Sequence, residues 1–150
     1  MKTFDQWMAA YAVSHQNPKN KQIHTQNCST KPGTKLVIKN FEKASKEDRI
    51  NYSFLAMPVD TSNSREKDWW YIFHVDSGLA VSGENTNLKL KKLGTENNDK
   101  HWRFEKDGSG FRLVNRVSEL EWKVANNETA NGTVVKQSSK SKKNKGYLWN

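Results

Sequence analysis

The sequence predicts an all-β fold in which three repeats close into one barrel. Three aromatic-x-aromatic triplets start 50 and 45 residues apart in this chain of 150 residues: Tyr52-Ser53-Phe54, Trp102-Arg103-Phe104 and Tyr147-Leu148-Trp149. A threonine recurs at similar intervals, at Thr34, Thr86 and Thr133. Repeats of this length are typical of architectures in which no single unit buries its apolar face alone.

Four strands per repeat follow from the alternation of apolar and polar residues. Successive side chains on a strand point to opposite faces, so Phe111, Leu113 and Asn115 share one face. Turn signals such as Asn131-Gly132 separate the alternating segments. The predicted strands cover residues 11–15, 22–26, 35–40, 52–57, 69–75, 78–82, 88–92, 101–105, 111–115, 120–125, 133–137 and 147–149. Many short strands with regular turns favour a closed barrel.

The middle repeat also carries a family pattern. Ahead of the triplet at Trp102 lie the run Val75-Asp76-Ser77-Gly78-Leu79-Ala80-Val81-Ser82 and the segment Leu88-Lys89-Leu90. Together these segments resemble one repeat of a ricin B-type β-trefoil lectin, and residues 113–149 resemble another. The resemblance implies a single β-trefoil domain over residues 1–150, with repeats at about 4–57, 69–105 and 111–150. Its expected architecture is a six-stranded barrel capped by three hairpins.

The N-terminus carries a second resemblance. Trp7, Tyr11 and the run Ser14-His15-Gln16-Asn17-Pro18 are similar to the opening of a small membrane family of iron-dependent fatty-acid oxygenases. That family needs transmembrane helices and further histidines, which this sequence lacks, so we transfer no activity from it. The resemblance would make residues 4–16 helical, whereas the repeat pattern makes them a strand.

The chain is strongly basic, with a formal net charge of +9. No acidic residue follows Glu128. The lysines that we consider for polyanion binding in this last segment are Lys140, Lys142, Lys143 and Lys145. Such a segment can hold a sulfated glycan or a nucleic acid. It is also typical of a solvated loop whose charges resist aggregation.

The sequence gives few signs of its compartment. No apolar stretch approaches the roughly 20 residues of a transmembrane helix, so we predict no membrane span. Asp5 and Gln6 stand where a signal peptide would be apolar. We therefore expect a cytoplasmic protein, or one that is exported without a classical signal peptide. Cys28 is the only cysteine, which rules out an intramolecular disulfide, and its polar neighbours indicate an inert thiol.

No catalytic constellation is evident in the sequence. The carboxylates are dispersed, and the pair Glu47-Asp48 lies in a polar loop. The four histidines are scattered without the spacing typical of metal ligands: His15, His24, His74 and His101. We predict a non-enzymatic protein that has no cofactor and no metal site.

The resemblance to ricin-type lectins implies one sugar site per repeat. In that family an aspartate on the second strand binds sugar hydroxyls and an aromatic ring near the third strand stacks on the sugar. An asparagine and a glutamine before the last strand complete the site. In this chain the aspartate position becomes Ser82 in the middle repeat and Lys123 in the last. The stacking position falls near Lys91 or Lys92 in the middle repeat and near Gln137 in the last, so no ring is present.

The remaining family positions also change. The glutamine position becomes Ile50, Lys100 and Lys145, and the asparagine position becomes Arg49, Asp99 and Asn144. The last repeat departs least from the pattern. It offers an amide-rich pocket that we expect to suit a charged or N-acetylated glycan, formed by Lys123, Asn126, Asn127, Gln137 and Asn144.

Three functions remain open on the sequence alone. The leading hypothesis is a lectin-like module whose partner is a glycan or glycoprotein, with acidic or amino sugars suggested by the charge. A second is a protein-interaction trefoil, of the protease-inhibitor or toxin receptor-binding type, that acts through the polar loops 42–49, 59–67 and 138–145. A third is polyanion binding through the C-terminal lysines. The sequence does not predict the oligomeric state.

Overall fold

A computed structural model describes residues 11–12, 21–42, 44–60, 62, 68–108, 110–140 and 149. This part of the chain contains strands and short 3₁₀ turns. The strands are β1 Tyr11–Ala12, β2 Lys21–Thr25, β3 Leu36–Asn40, β4 Ser53–Pro58, β5 Trp70–His74, β6 Ala80–Ser82, β7 Lys89–Lys91, β8 Trp102–Asp107, β9 Gly110–Asn115, β10 Glu121–Val124 and β11 Val135–Ser138. Each coincides with a strand predicted from the sequence.

The strands divide into a barrel and a cap. Antiparallel pairing links β1 to β4, β4 to β5, β5 to β8 and β8 to β9 in the barrel. Trp149 supplies a sixth element by bridging Phe111 on β9. The hairpins β2–β3, β6–β7 and β10–β11 form the cap. This arrangement is the predicted β-trefoil.

The recurring threonines mark the axis that relates the repeats. The Thr34 carbonyl accepts a hydrogen bond from Leu90 N–H at 2.8 Å, and the Thr86 carbonyl accepts one from Gln137 N–H at 2.7 Å. The Thr133 carbonyl closes the ring by accepting from Ile38 N–H at 2.9 Å. Each repeat of the cap is therefore bonded to the next through the same backbone position.

The core lies between the barrel and the cap. Its largest fully buried side chains include Trp102, Trp122 and Trp149, which meet in edge-to-face contacts. The indole of Trp102 donates to the Val81 carbonyl at 2.9 Å, and the indole of Trp149 donates to the Trp122 carbonyl at 3.3 Å. These bonds tie β8 and Trp149 of the barrel to the first strands of two cap hairpins, β6 and β10.

The structure corrects the register of the aromatic triplets by two residues. Phe54 pairs with His74, and Trp102 pairs with Asn115. His74 and Asn115 are equivalent because each donates its backbone N–H to a leucine carbonyl at 2.9 Å across the following turn. Phe54, Trp102 and Trp149 are therefore the matched rings. The sequence alignment had matched Trp102 with Tyr52 instead.

The chain ends and the loops are only partly described. Residues 11–12 form a strand, as the repeat pattern predicts, while residues 4–10 and 13–16 lie outside the described part. The loop predicted at 42–49 leads into a 3₁₀ turn, Asp48–Tyr52.

Within the described residues, no helix has the length and apolar character needed to cross a membrane.

The corrected register makes a prediction about stability. Replacing Trp102 by alanine should cost roughly 3–5 kcal/mol of unfolding free energy, because a large buried ring leaves a cavity. Replacing Phe54 by alanine should cost a similar amount. Phe104 is 38% exposed, so its replacement should cost far less. Urea unfolding of the three variants measures these differences. An equal cost for Phe104 and Trp102 would contradict the register.

Candidate functional site

A cavity of about 360 Å³ lies against the first hairpin of the cap. We call it the first-repeat cavity. It is lined by His24, Thr25, Gln26, Asn27, Cys28, Val37, Lys39, Asn131 and Gly132. Seven of these residues belong to β2, β3 and the 3₁₀ turn Gln26–Cys28, while Asn131 and Gly132 come from the last repeat. The cavity therefore forms only where the first and last repeats meet.

His24 forms the wall of this cavity nearest the core. Its side chain is 1% exposed and makes an edge-to-face contact with Tyr52. The ring nitrogen Nδ1 lies 2.7 Å from the Thr25 carbonyl oxygen, and Nε2 lies 3.0 Å from Oδ1 of Asp48. Since the carbonyl can only accept, Nδ1 carries a proton and donates it. The ring is thereby fixed with Nε2 toward Asp48.

Asp48 is held by several donors. Nδ2 of Asn51 lies 3.0 Å from Oδ1, and Nζ of Lys39 lies 3.2 Å from Oδ2. Partial burial would raise the pKa of Asp48, but hydrogen bonds from Asn51, His24 and Lys39 outweigh it and hold that pKa well below its usual value. The carboxylate is therefore ionised and fixed in orientation.

Cys28 completes this group of side chains. Its Sγ lies 3.6 Å from Oδ1 of Asp48. Asn27 and Cys28 have φ values of 56° and 55°, so the turn carries the thiol back toward the hairpin. Desolvation and the nearby Asp48 carboxylate raise the pKa of the Cys28 thiol. The structure thus places beside this thiol an aspartate that its neighbours in the sequence did not indicate.

The last repeat contains a counterpart of the first-repeat cavity. Lys123 occupies the position in the last hairpin that His24 occupies in the first. Lys123 pairs with Lys136, three residues after Thr133, and His24 pairs with Val37, three residues after Thr34. Asn126 and Asn127 are exposed, with φ values of 53° and 55° that match those of the first 3₁₀ turn. Lys123, Asn126 and Asn127 therefore lie on one strand and the turn that follows it.

Gln137 does not share that neighbourhood. It pairs with Trp122, so it lies on the opposite face of the hairpin from Lys123. Its amide donates to the carbonyls of Gly83 and Asn85 at 2.6 and 2.8 Å, and it accepts from Ser118 Oγ at 2.7 Å. The side chain is 5% exposed and ties three loops together. Gln137 is therefore a buried structural residue and does not lie in the predicted pocket beside Lys123.

The remaining predicted site residues have separate outcomes. Lys140 is exposed, and its Nζ lies 3.1 Å from Oε1 of Glu105, which also binds Arg103. The other residues lie outside the described part of the chain: Lys142, Lys143, Asn144 and Lys145.

The middle repeat holds a carboxylate in a comparable place. Ser82 Oγ donates to Oδ2 of Asp99 at 2.6 Å, and Nζ of Lys100 lies 3.2 Å from Oδ1. Burial would raise the pKa of Asp99, but the hydrogen bonds from Ser82 and Lys100 prevail and lower it. His24 thus contacts Asp48 and Ser82 contacts Asp99. Each aspartate lies just before the last strand of its repeat.

Residues 52–138 match the protein family described as ricin-type beta-trefoil lectin domain-like. This span is more than half of the chain. The chain belongs to this lectin-domain family. No curated protein sequence is significantly similar to it.

Solved structures share the fold of this lectin domain at low sequence identity. The designed threefold-symmetric protein ThreeFoil is 20% identical with a TM-score of 0.78, over 93% of this chain and 95% of that one. An exo-β-1,3-galactanase from Clostridium thermocellum is 17% identical with a TM-score of 0.78, over 95% of this chain and 29% of that one.

A lectin from Polyporus squamosus, bound to Neu5Acα2-6Galβ1-4GlcNAc, is 12% identical with a TM-score of 0.74. The match covers 95% of this chain and 48% of that one. The lectin domain described here therefore corresponds to less than half of either natural protein. At these identities the similarity establishes the fold alone.

The corrected register also revises the family positions of this lectin domain. The aspartate position is taken by His24, Ser82 and Lys123, which occupy equivalent places in the three hairpins. The asparagine position of the first repeat is Asn51, three residues before Phe54, and not Arg49 as the sequence alignment indicated. The first repeat thus retains an asparagine at this family position.

Sequence reasoning missed the group formed by His24, Cys28 and Asp48. His24 and Cys28 are four residues apart, but Asp48 is 24 residues from His24 and reaches it only through the hairpin between them. The turns after β2 and β10 have similar φ values, but their sequences share only one asparagine, Asn27 and Asn126. No spacing rule for metal or catalytic sites contains this combination.

The Asp99 site makes a prediction about acid stability. Because its pKa is lowered in the folded chain, Asp99 stabilises the fold above its unfolded value of about 3.8, and this contribution is lost as the pH falls through the folded value. Asp99→Asn should therefore lose less stability than the wild type between about pH 5 and pH 2. Ser82→Ala should also lose less stability than the wild type as the pH falls, because it removes a hydrogen bond to the Asp99 carboxylate. Urea unfolding across this range, with the exposed Glu96→Gln as control, measures the effect. Parallel curves for Asp99→Asn and the wild type would contradict it.

Proposed function

We propose that this lectin domain is a non-enzymatic module that binds anionic glycans through the outward side of its hairpin cap. On β3, β7 and β11 and just before them, every second residue lies on the face opposite the core. We call these residues the cap face: Lys35, Val37, Lys39, Asn87, Lys89, Lys91, Val134, Lys136 and Ser138. Val37 is buried, but five of the nine residues are partly exposed lysines, so the cap face offers an anion an electrostatic site.

Two pairs of like charges carry this proposal. Lys35 lies directly opposite Lys89 on the neighbouring strand, and Lys123 lies directly opposite Lys136. Like charges in such positions destabilise a sheet. Among the residues that the structure describes, neither Lys35 nor Lys89 has a carboxylate partner. A carboxylate or sulfate group bound between the paired ammonium groups would relieve this repulsion.

Polar groups beside the cap face supply contacts for the uncharged part of a sugar. Asn126 and Asn127 are exposed beside Lys123 at one edge, and the first-repeat cavity opens beside Lys39 at another. Amide groups can donate to and accept from sugar hydroxyls. The predicted roles of Asn144, Lys142, Lys143 and Lys145 remain part of this proposal.

Two further observations support a binding role for acidic sugars. The first concerns hydrolysis, which ordinarily requires two carboxylates: the described residues that line the first-repeat cavity include none, and the single carboxylate of Asp48 contacts His24 and Cys28 behind them. The Polyporus squamosus lectin, which shares the fold, was solved with a glycan that contains the acidic sugar Neu5Ac. We therefore expect sialylated and sulfated glycans to be the most informative probes.

The lysine pairs make a prediction that links binding to stability. Lys89→Gln and Lys136→Gln together should weaken binding to an anionic glycan roughly tenfold, equivalent to about 1.4 kcal/mol, and should reduce its salt dependence. The same variant should gain up to about 1 kcal/mol of unfolding free energy per relieved pair. A glycan array at low and moderate salt, followed by calorimetric titration and urea unfolding, measures both effects.

Lys106→Gln is the matched control, since it removes an exposed charge from the barrel strand β8. Binding that falls equally in this control would show that net charge, and not the cap face, attracts the glycan. A chain that binds no glycan on the array at either salt concentration would refute the proposal.

The asparagines separate specific recognition from bulk charge. Asn126→Gly and Asn127→Gly keep the positive φ values of the turn while removing the amides. If the glycan is recognised specifically, these variants should lose discrimination between anionic glycans while the salt dependence persists. If discrimination is unchanged, or if the wild type shows none, the domain binds polyanions without a sugar pocket.

A further inference from the structure

Three side chains that can bind a metal ion meet at the wall of the first-repeat cavity. Nε2 or Nδ1 of His24, Sγ of Cys28 and a carboxylate oxygen of Asp48 all lie within 4.8 Å of one another. We propose that this group binds a divalent transition metal ion, with zinc the best match. This proposal does not depend on glycan binding at the cap face.

The separations of Cys28 Sγ and His24 Nε2 from the Asp48 oxygen are close to those of tetrahedral coordination. Zinc binds imidazole nitrogen and carboxylate oxygen at about 2.1 Å and thiolate sulfur at about 2.3 Å. Tetrahedral angles at those lengths place oxygen and sulfur about 3.6 Å apart, and nitrogen and oxygen about 3.4 Å apart. The observed separations from Oδ1 of Asp48 are 3.6 Å to Sγ of Cys28 and 3.0 Å to Nε2 of His24. Only the second must widen, by about 0.4 Å.

The surroundings of His24 are those of a metal ligand. Metal-binding histidines usually donate their second ring N–H to a carbonyl or carboxylate, which fixes the tautomer. Nδ1 of His24 lies 2.7 Å from the Thr25 carbonyl, so Nε2 points to Asp48, and a metal ion that displaces the proton between them would meet the Nε2 lone pair. The ring is also packed against Tyr52 at 4.4 Å between centroids, which restricts its rotation.

The carboxylate is supported in the same manner. Asn51 donates to Oδ1 of Asp48, and the Lys39 ammonium lies 3.2 Å from Oδ2. Carboxylates that bind metals are commonly held by such outer hydrogen bonds. Lys39 is partly exposed and can swing toward solvent, and its single charge does not cancel those of a carboxylate and a thiolate.

The chemistry of the ligands selects the class of metal. One imidazole and one thiolate favour zinc, cobalt or copper over calcium and magnesium, which prefer oxygen. His24 and Cys28 both line the first-repeat cavity, so a fourth coordination position would open into it and accept water or a small ligand. A simple ion pair between His24 and Asp48 would leave the thiol without a role.

Titration with cobalt(II) tests the proposal directly. The folded protein should bind about one cobalt ion per chain with the visible absorption of tetrahedral coordination and a near-ultraviolet thiolate-to-cobalt band. Added zinc should abolish both. If the protein is folded by circular dichroism and neither band appears, a proton alone bridges His24 and Asp48, and the proposal is wrong.

Two surface variants assign the ligands. Cys28→Ser should abolish the thiolate band, and both Cys28→Ser and Asp48→Asn should lower the cobalt and zinc affinity at least tenfold. Asp99→Asn is the matched control, because it alters an equally bonded aspartate of the middle repeat. Zinc should raise the thermal midpoint of the wild type and of Asp99→Asn but not that of Cys28→Ser. An unchanged cobalt spectrum in Cys28→Ser would overturn the assignment.

Discussion

Three backbone hydrogen bonds around the pseudo-threefold axis hold the cap together. The carbonyls of Thr34, Thr86 and Thr133 each accept from the next repeat around the ring. Because the donor always comes from another repeat, no hairpin of the cap completes its bonding alone. The core is closed by the same arrangement, since the hairpins bring Val81 and Trp122 over the indoles of Trp102 and Trp149. Both the first-repeat cavity and the cap face depend on this ring.

The sequence predicted the fold well because its signals were periodic. Alternation located each described strand, and the threonines marked equivalent backbone positions. The aromatic triplets were less reliable for a physical reason: residues two apart on a strand point to the same face, so a shift of two residues preserves the apolar pattern. Trp102 is fully buried and Phe104 is 38% exposed, yet both fit the same alternation. The strand pairs Phe54–His74 and Trp102–Asn115 show which of the two rings matches Phe54.

The candidate site was predicted less completely because it depends on contacts distant in the sequence. Lys123, Asn126 and Asn127 could be grouped from the sequence, since they follow one another along a single strand and turn. Gln137 was misplaced because strand register decides its face, and register is set across the hairpin. Asp48 and His24 are 24 residues apart in the sequence, and no local sequence pattern predicts their contact.

Asn131 has a consequence for the order of events during synthesis. Its Oδ1 accepts from the Asn40 backbone N–H at 3.0 Å and from the Lys21 ammonium, while Gly132 N–H donates to the Ile38 carbonyl at 2.8 Å. The rim of the first-repeat cavity is thus supplied by a segment translated about ninety residues after Asn40. The early hairpin can pair before then, but this rim of the cavity is completed only after the late loop has been synthesised.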